Sequence, residues 1–176
     1  MNASKHLVNL VALRRAGLAI SPLVHNRLCH RGSLLFGRSC AIAGGTLLVT
    51  ETNSRRCGCI ILGNGVVIGD YCNIRASTSV IKIGNDVQIA QFVNLIGTNH
   101  SRTSDGRVAR DYAGKAGITI GDRCWLGVQS TLLPGVELGT DCIVGAGAVV
   151  TRSWPSFSTL GGVPARRISG SAESTV

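Results

Sequence analysis

Residues 117–151 read GITIGDRCWLGVQSTLLPGVELGTDCIVGAGAVVT, and a single periodicity runs through the stretch. An aliphatic residue returns every six positions, at Ile120, Leu126, Leu132, Leu138 and Val144. Glycine often follows it, as Gly121, Gly127, Gly139 and Gly145, and the fourth position after it is small or β-branched: Cys124, Ser130, Val136, Cys142 and Ala148. Neither an α-helix nor an alternating strand repeats on that spacing.

The same beat extends toward the N-terminus. Leu62, Ile68 and Ile74 keep it, and after a shift of phase Ile83, Ile89 and Leu95 resume it, with Gly63, Gly69 and Gly84 following and Val66, Cys72, Thr78, Val87 and Val93 in the small position. A six-residue repeat predicts an all-β solenoid, a parallel β-helix. Each hexapeptide forms a short strand and a turn, and three of them close a coil of about eighteen residues. Coils stack at roughly 4.8 Å. The aliphatic residue enters the narrow lumen and the small residue fits the corner. The glycines are expected to supply turn conformations that a Cβ disfavours.

Composition agrees with narrow aliphatic layers. Hydrophobic residues are 44% of the chain but aromatics only 4%, and there are 23 glycines in 176 residues. No run of 18 apolar residues suggests a membrane span. The net charge of +9 favours an anionic ligand. The basic residues are scattered without an aromatic platform, so nucleic acid is not the expected partner. Seven cysteines form no evident disulfide framework. Cys72, Cys124 and Cys142 occupy the small repeat position and read as packed thiols. Cys57 and Cys59 make a C-x-C that lacks common zinc spacing. A reducing cytoplasm is the expected location.

Three parts follow from the pattern. Residues 1–32 form a basic N-terminal segment with helical apolar spacing. It reads as a short helical cap on the open end of the solenoid, or as a weak contact with a membrane surface. Residues 33–153 form the β-helix, beginning with a degenerate first coil, and residues 154–176 form a non-repetitive tail. Inside the β-helix the beat stops over 97–118, an excursion loop entered through Asn99 and His100. Insertions in solenoids map to loops on one face, often the functional one. Open-sided solenoids are stable as oligomers, and a homotrimer would repeat the same cleft between each pair of subunits.

NIRASTSVIKIGNDVQIAQFVNLIGTNH (73–100), ITIGDRCWLGVQSTLLPGVELGTDCIVGAGAVVTRS (118–153) and GGVPARRI (161–168) resemble the hexapeptide-repeat acyltransferases. The resemblance spans roughly residues 60–168 and is nearest to bacterial maltose, galactoside and exopolysaccharide O-acetyltransferases. It implies a left-handed coil, an exception to the usual crossover hand. It also implies acetyl transfer from acetyl-CoA to a hydroxyl of a sugar or surface polysaccharide, without a metal.

Such a transfer needs a base, because a protonated hydroxyl is a weak nucleophile, and imidazole suits that role near neutral pH. His100 matches the family's catalytic histidine. The resemblance gives the backbone amide of Val128 the oxyanion-donor role, and places Trp125 and Gly127 at the thioester end. It sets Ala146 and Thr151 beside the pantetheine arm, with Arg152 and Arg166 near the phosphates. Asn73, Arg75, Asn94 and Asn99 are the acceptor-side candidates, Asn94 and Asn99 being equally suited to stabilising a turn. Relatives carry an acidic residue where this chain has Ser77–Val80, so the partner of His100 is open, with Asp105 as one substitute.

Three other readings remain. A zinc site of the γ-carbonic anhydrase type needs three histidines, and only His100 of the four lies beside the regular repeats. A non-catalytic scaffold leaves the His100 loop unexplained. Transfer to an amine would use the same base and oxyanion donor.

Overall fold

The computed structural model describes residues 19–20, 25–27, 33–52, 56–112 and 117–169, and the backbone alone of 19–20, 25–27 and 110–112. Its strands form three parallel faces, and each pass of the chain contributes one strand to each face. The first face holds Ala19–Ile20, Ala41–Ile42, Val67–Ile68, Gln88–Ile89, Trp125–Leu126, Ile143–Val144 and Thr159–Gly161. The second holds His25–Arg27, Leu47–Thr50, Asn73–Ser77, Asn94–Ile96, Thr131–Leu132 and Val149–Val150. The third holds Leu34–Phe36, Cys59–Leu62, Val80–Ile83, Gly117–Ile120 and Glu137–Leu138.

The repeat aliphatics stack in register up the lumen. Ile68, Ile89, Leu126, Val144 and Leu160 form one column, and Ile74, Leu95, Leu132 and Val150 another. All are buried. Burying each such side chain contributes about 1.5–3 kcal/mol, so the columns stabilise the coil without bulky aromatics. The small-position cysteines are buried as expected. Their thiols reach carbonyls of the next coil: Cys72 Sγ to Ala90 O at 3.0 Å, Cys124 Sγ to Gly139 O at 3.1 Å. Burial pushes the Cys72 thiol up from its ordinary value.

The glycines have a different reason from the one expected. Positive φ falls three residues after the aliphatic, at Tyr71 (56°), Asp86 (53°), Phe92 (60°), Arg123 (56°), Gln129 (59°) and Asp141 (56°). Gly45, Gly65, Gly135 and Gly147 fill that place with glycine. The glycine directly after the aliphatic is needed because successive coils touch backbone to backbone. A Cβ on Gly63 would lie 2.6 Å from the Gly84 carbonyl carbon, and one on Gly121 2.6 Å from that of Gly139.

Both ends differ from expectation. The described parts of the N-terminal segment, Ala19–Ile20 and His25–Arg27, are strands pairing with Ala41–Ile42 and Leu47–Val49. The solenoid therefore begins before residue 33, and no helix is seen where described; the rest of the expected cap lies outside the described residues. At the other end Thr159–Gly161 pairs parallel with Ile143–Val144 and buries Leu160, so another turn is built from the supposed tail. Arg166–Ser169 then folds back antiparallel on it. Among the described residues no helix is long and apolar enough to cross a membrane.

Candidate active site

The excursion leaves the second face after Ile96 and rejoins the third at Gly117, opposite Val80. It is a β-hairpin of His100–Arg102 against Val108–Tyr112. Its exit is pressed on the coil below: Gly97 N–H donates to Arg75 O at 2.8 Å, and a Cβ on Gly97 would stand 2.5 Å from Ser79 Oγ. Asn99 Oδ1 accepts the His100 N–H at 2.9 Å, a local turn bond that starts the strand.

His100 lies opposite Tyr112 and Arg102 opposite Val108, so residues 109–111 bulge against Ser101 alone. Bulges re-aim groups beside functional sites. Here the Ala109 carbonyl lies 2.9 Å from His100 Nδ1. A carbonyl can only accept, so Nδ1 carries the proton, and in the neutral ring the lone pair is on Nε2. Asp105 serves the hairpin tip instead. It accepts the Thr103 hydroxyl and pairs with Arg107 at 3.2 Å, and the Thr103 bond holds its carboxyl below the usual range.

Val128 lies at the corner between the first and second faces. The turn closes with Ser130 N–H to Gly127 O at 3.1 Å, with Gln129 at φ 59°. The Val128 carbonyl accepts the Gly147 N–H at 2.8 Å. Its own N–H donates to no group among the described residues, and the residue is exposed. Gly127 lets the next coil close in, since a Cβ there would meet Ala146 N at 2.7 Å. Trp125 projects from the first face between Gln88 and Ile143, 53% exposed. Trp125, Gly127, Val128 and Ala146 thus share one region.

The remaining cofactor candidates are elsewhere. Thr151 and Arg152 follow Val149–Val150 at the corner leaving the second face, and the Arg152 guanidinium lies 4.3 Å over the Trp154 ring. Arg166 is exposed on the antiparallel strand, its Nη1 donating to Ala165 O at 3.1 Å. On the acceptor side, Asn73 and Asn94 are neighbours in register on the second face, and Arg75 pairs with Ile96. Asn94 Nδ2 donates to Phe92 O at 3.3 Å, consistent with its turn role, while Asn73 Oδ1 is buried without a hydrogen-bond partner among the described residues.

Two residues were missed from sequence. The Tyr71 and Phe92 rings stack 5.4 Å apart, 9° from parallel, and both are exposed. They stand on Val128's corner, since Gln129 N–H donates to Gln91 O there. The sign available was positional: in a chain with few aromatics, both fall three residues after a repeat aliphatic, Ile68 and Ile89.

The fold brings Asn99 to His100 but does not bring His100 to Val128. One stands where the second face ends, the other where it begins, with the width of that face between them.

Comparison with known proteins adds ancestry. Residues 117–152 match the family model described as hexapeptide repeat of succinyl-transferase. The chain is 33% identical over 145 residues to the Escherichia coli (strain K12) protein named lipopolysaccharide biosynthesis O-acetyl transferase WbbJ, covering 78% of this chain and 71% of that one. It is 32% identical over 105 residues to galactoside O-acetyltransferase of the same organism, covering 60% of this chain but only 47% of that relative. Among solved structures, AntD, an N-acyltransferase from Bacillus cereus in complex with dTDP and 3-hydroxybutyryl-CoA, superposes with a TM-score of 0.77 at 16% identity, covering 93% of this chain and 88% of that one. That likeness concerns the fold.

Proposed function

The chain belongs to the hexapeptide-repeat acyltransferase superfamily, and on that premise we propose that it moves an acetyl group from acetyl-CoA to a hydroxyl of a sugar or surface-polysaccharide acceptor. The observation that supports this reading is the 2.9 Å contact of His100 Nδ1 with Ala109 O, which in the neutral ring puts the lone pair on Nε2, the atom proposed as the base. Nε2 takes the acceptor hydroxyl's proton as its oxygen attacks the thioester carbonyl carbon. The carbonyl oxygen gains the negative charge, and the unengaged Val128 N–H is the donor that stabilises it. Collapse reforms the carbonyl, breaks the carbon–sulfur bond and returns the proton from Nε2 to the departing thiolate. The products are an acetyl ester and free coenzyme A.

Because His100 and Val128 stand at opposite edges of the second face, the site is completed between subunits. One copy supplies the hairpin with His100, Asn99, Asn73, Arg75 and Asn94. The next supplies Trp125, Gly127, Val128 and Ala146 along the pantetheine arm, with Thr151, Arg152 and Arg166 toward the phosphates. A homotrimer of left-handed coils in the cytoplasm repeats this cleft. Support for the acceptor class comes from WbbJ and galactoside O-acetyltransferase. The fold likeness to the N-acyltransferase AntD supports a second reading, transfer to an amino sugar by the same base.

The test is thiol release from acetyl-CoA across sugar and amino-sugar acceptors, beside His100→Ala, with the product then exposed to mild alkali. Acceptor-dependent release yielding an alkali-labile product supports O-transfer, and an alkali-stable product supports the amine. Release unchanged by His100→Ala removes the base from the mechanism.

A further inference from the structure

The excursion that carries His100 leaves the coil at a contact with no spare room. Gly97 is buried, and its N–H donates to Arg75 O on the coil below at 2.8 Å. A Cβ on Gly97 would stand 2.5 Å from Ser79 Oγ, 3.1 Å from Arg75 O and 3.2 Å from the Ala76 Cα. Gly97 does not have the positive φ that would itself call for glycine, so the close approach is what excludes a side chain. The Ser79 hydroxyl is held in its turn. Ser79 Oγ donates to Ala76 O at 2.8 Å and Ser79 N–H donates to the same carbonyl at 2.9 Å, which ties the side chain back onto its own turn. The Ser79 carbonyl accepts the Cys59 N–H at 2.9 Å, and this anchors the turn to the coil beneath.

Only Thr98 and Asn99 separate Gly97 from His100. Thr98 is buried, and Asn99 Oδ1 accepts the His100 N–H at 2.9 Å, so a displacement at Gly97 meets little free chain before it reaches the imidazole. Misplacing a reacting group by about 1 Å costs on the order of 10²-fold in rate. Resting on the acyltransferase reading of this site, we propose that Ser79 and Gly97 are positioning residues for His100. The tied-back hydroxyl is the stop against which Gly97 seats, and the seat sets where the excursion holds the base.

The test moves one heavy atom across the contact. Ser79→Ala, Gly97→Ala and the double variant are assayed by thiol release from acetyl-CoA, with whichever of glucose, galactose and glucosamine releases most in wild type. Gly97→Ala is expected to lower kcat by about 10–100-fold and leave the KM for acetyl-CoA within about twofold of wild type. Ser79→Ala lowers kcat by about three- to tenfold, because the stop recedes. In the double variant the methyl added at position 97 takes the space that the Ser79 oxygen leaves, and kcat returns to within about threefold of wild type. Losses that multiply in the double variant, or a wild-type kcat in Gly97→Ala, overturn the proposal. If Gly97→Ala does not fold alone, a folded double variant with that recovery upholds it, and a double variant that also fails to fold overturns it. Histidine 15N spectroscopy, assigned with His100→Gln, reads the ring without turnover. The Nδ1–H signature that the Ala109 carbonyl imposes is expected in wild type, weakened in Gly97→Ala and restored in the double variant. If no acceptor releases thiol, the acyltransferase reading fails by itself and the spectra decide the positioning role. Restoration in the double variant upholds that role, and a signature unchanged across all variants overturns it.

Discussion

The Ala109 carbonyl lies 2.9 Å from His100 Nδ1, a contact that requires the proton on Nδ1 and, in the neutral ring, puts the lone pair on Nε2. His100→Ala is expected to lower kcat by about 10²–10⁴-fold, the range for a positioned general base, measured by thiol release at saturating substrates. Val128 permits a cleaner substitution. Its turn has the positive φ at the following residue, Gln129, and the chain already carries the same turn with proline in the equivalent place, Pro134 before Gly135 at φ 85°. Proline is favoured there and lacks an N–H. Val128→Pro is therefore expected to fold with an unchanged melting temperature and lose about 10²–10³-fold in kcat. A variant of undiminished activity would place the oxyanion donor elsewhere.

At the scale of the repeat element, each corner is a stack of turns rather than an isolated one. Along the corner between the third and first faces the Arg38 N–H bonds Asn64 Oδ1, the Asn64 N–H bonds Asn85 Oδ1, and the Asn85 N–H bonds Asp122 Oδ1 at 2.7 Å. The bond from the Asn85 backbone, then that from its side chain, holds the Asp122 carboxyl below the usual range. A depressed folded pKa means stability present above the unfolded value, about 3.9, and lost as pH falls through the folded one. The melting-temperature advantage of wild type over Asp122→Asn is expected to shrink from about pH 5 downward. An advantage constant with pH would assign the effect to shape alone. The coil contact makes another prediction. Gly121 has no positive φ, yet Gly121→Ala is expected to cost about 1–3 kcal/mol in denaturant unfolding, because the Cβ would meet main-chain atoms that cannot rotate away.

In the whole molecule the position of the excursion matters more than its sequence. The hairpin leaves the corner after the second face, while Val128 and the stacked Tyr71 and Phe92 line the corner before it. On the proposed mechanism a single chain carries two half-sites. Mixing His100→Ala with Val128→Pro, each inactive alone, and allowing subunits to exchange is expected to restore a measurable fraction of activity, because some clefts then pair an intact hairpin with an intact Val128 corner. No recovery, despite exchange shown by differently tagged chains, would put both groups in one subunit.

The sequence by itself determined the period, and with it the parallel β-helix, the lumen residues, the packed thiols and the place of the excursion. These are local consequences of which side chains recur and how often, so they survive without knowledge of any neighbour. It misjudged both ends, where Ala19–Ile20, His25–Arg27 and Thr159–Gly161 join sheets whose edges the short stretches complete. Strands of two or three residues carry too little pattern to be read alone, and pairing with an existing coil decides them. Only the tertiary structure gave the reason for the repeat glycines, since a contact between coils depends on stacking. It alone also aimed the Ala109 carbonyl at His100, because a bulge is a mismatch between two strands and belongs to neither sequence taken singly.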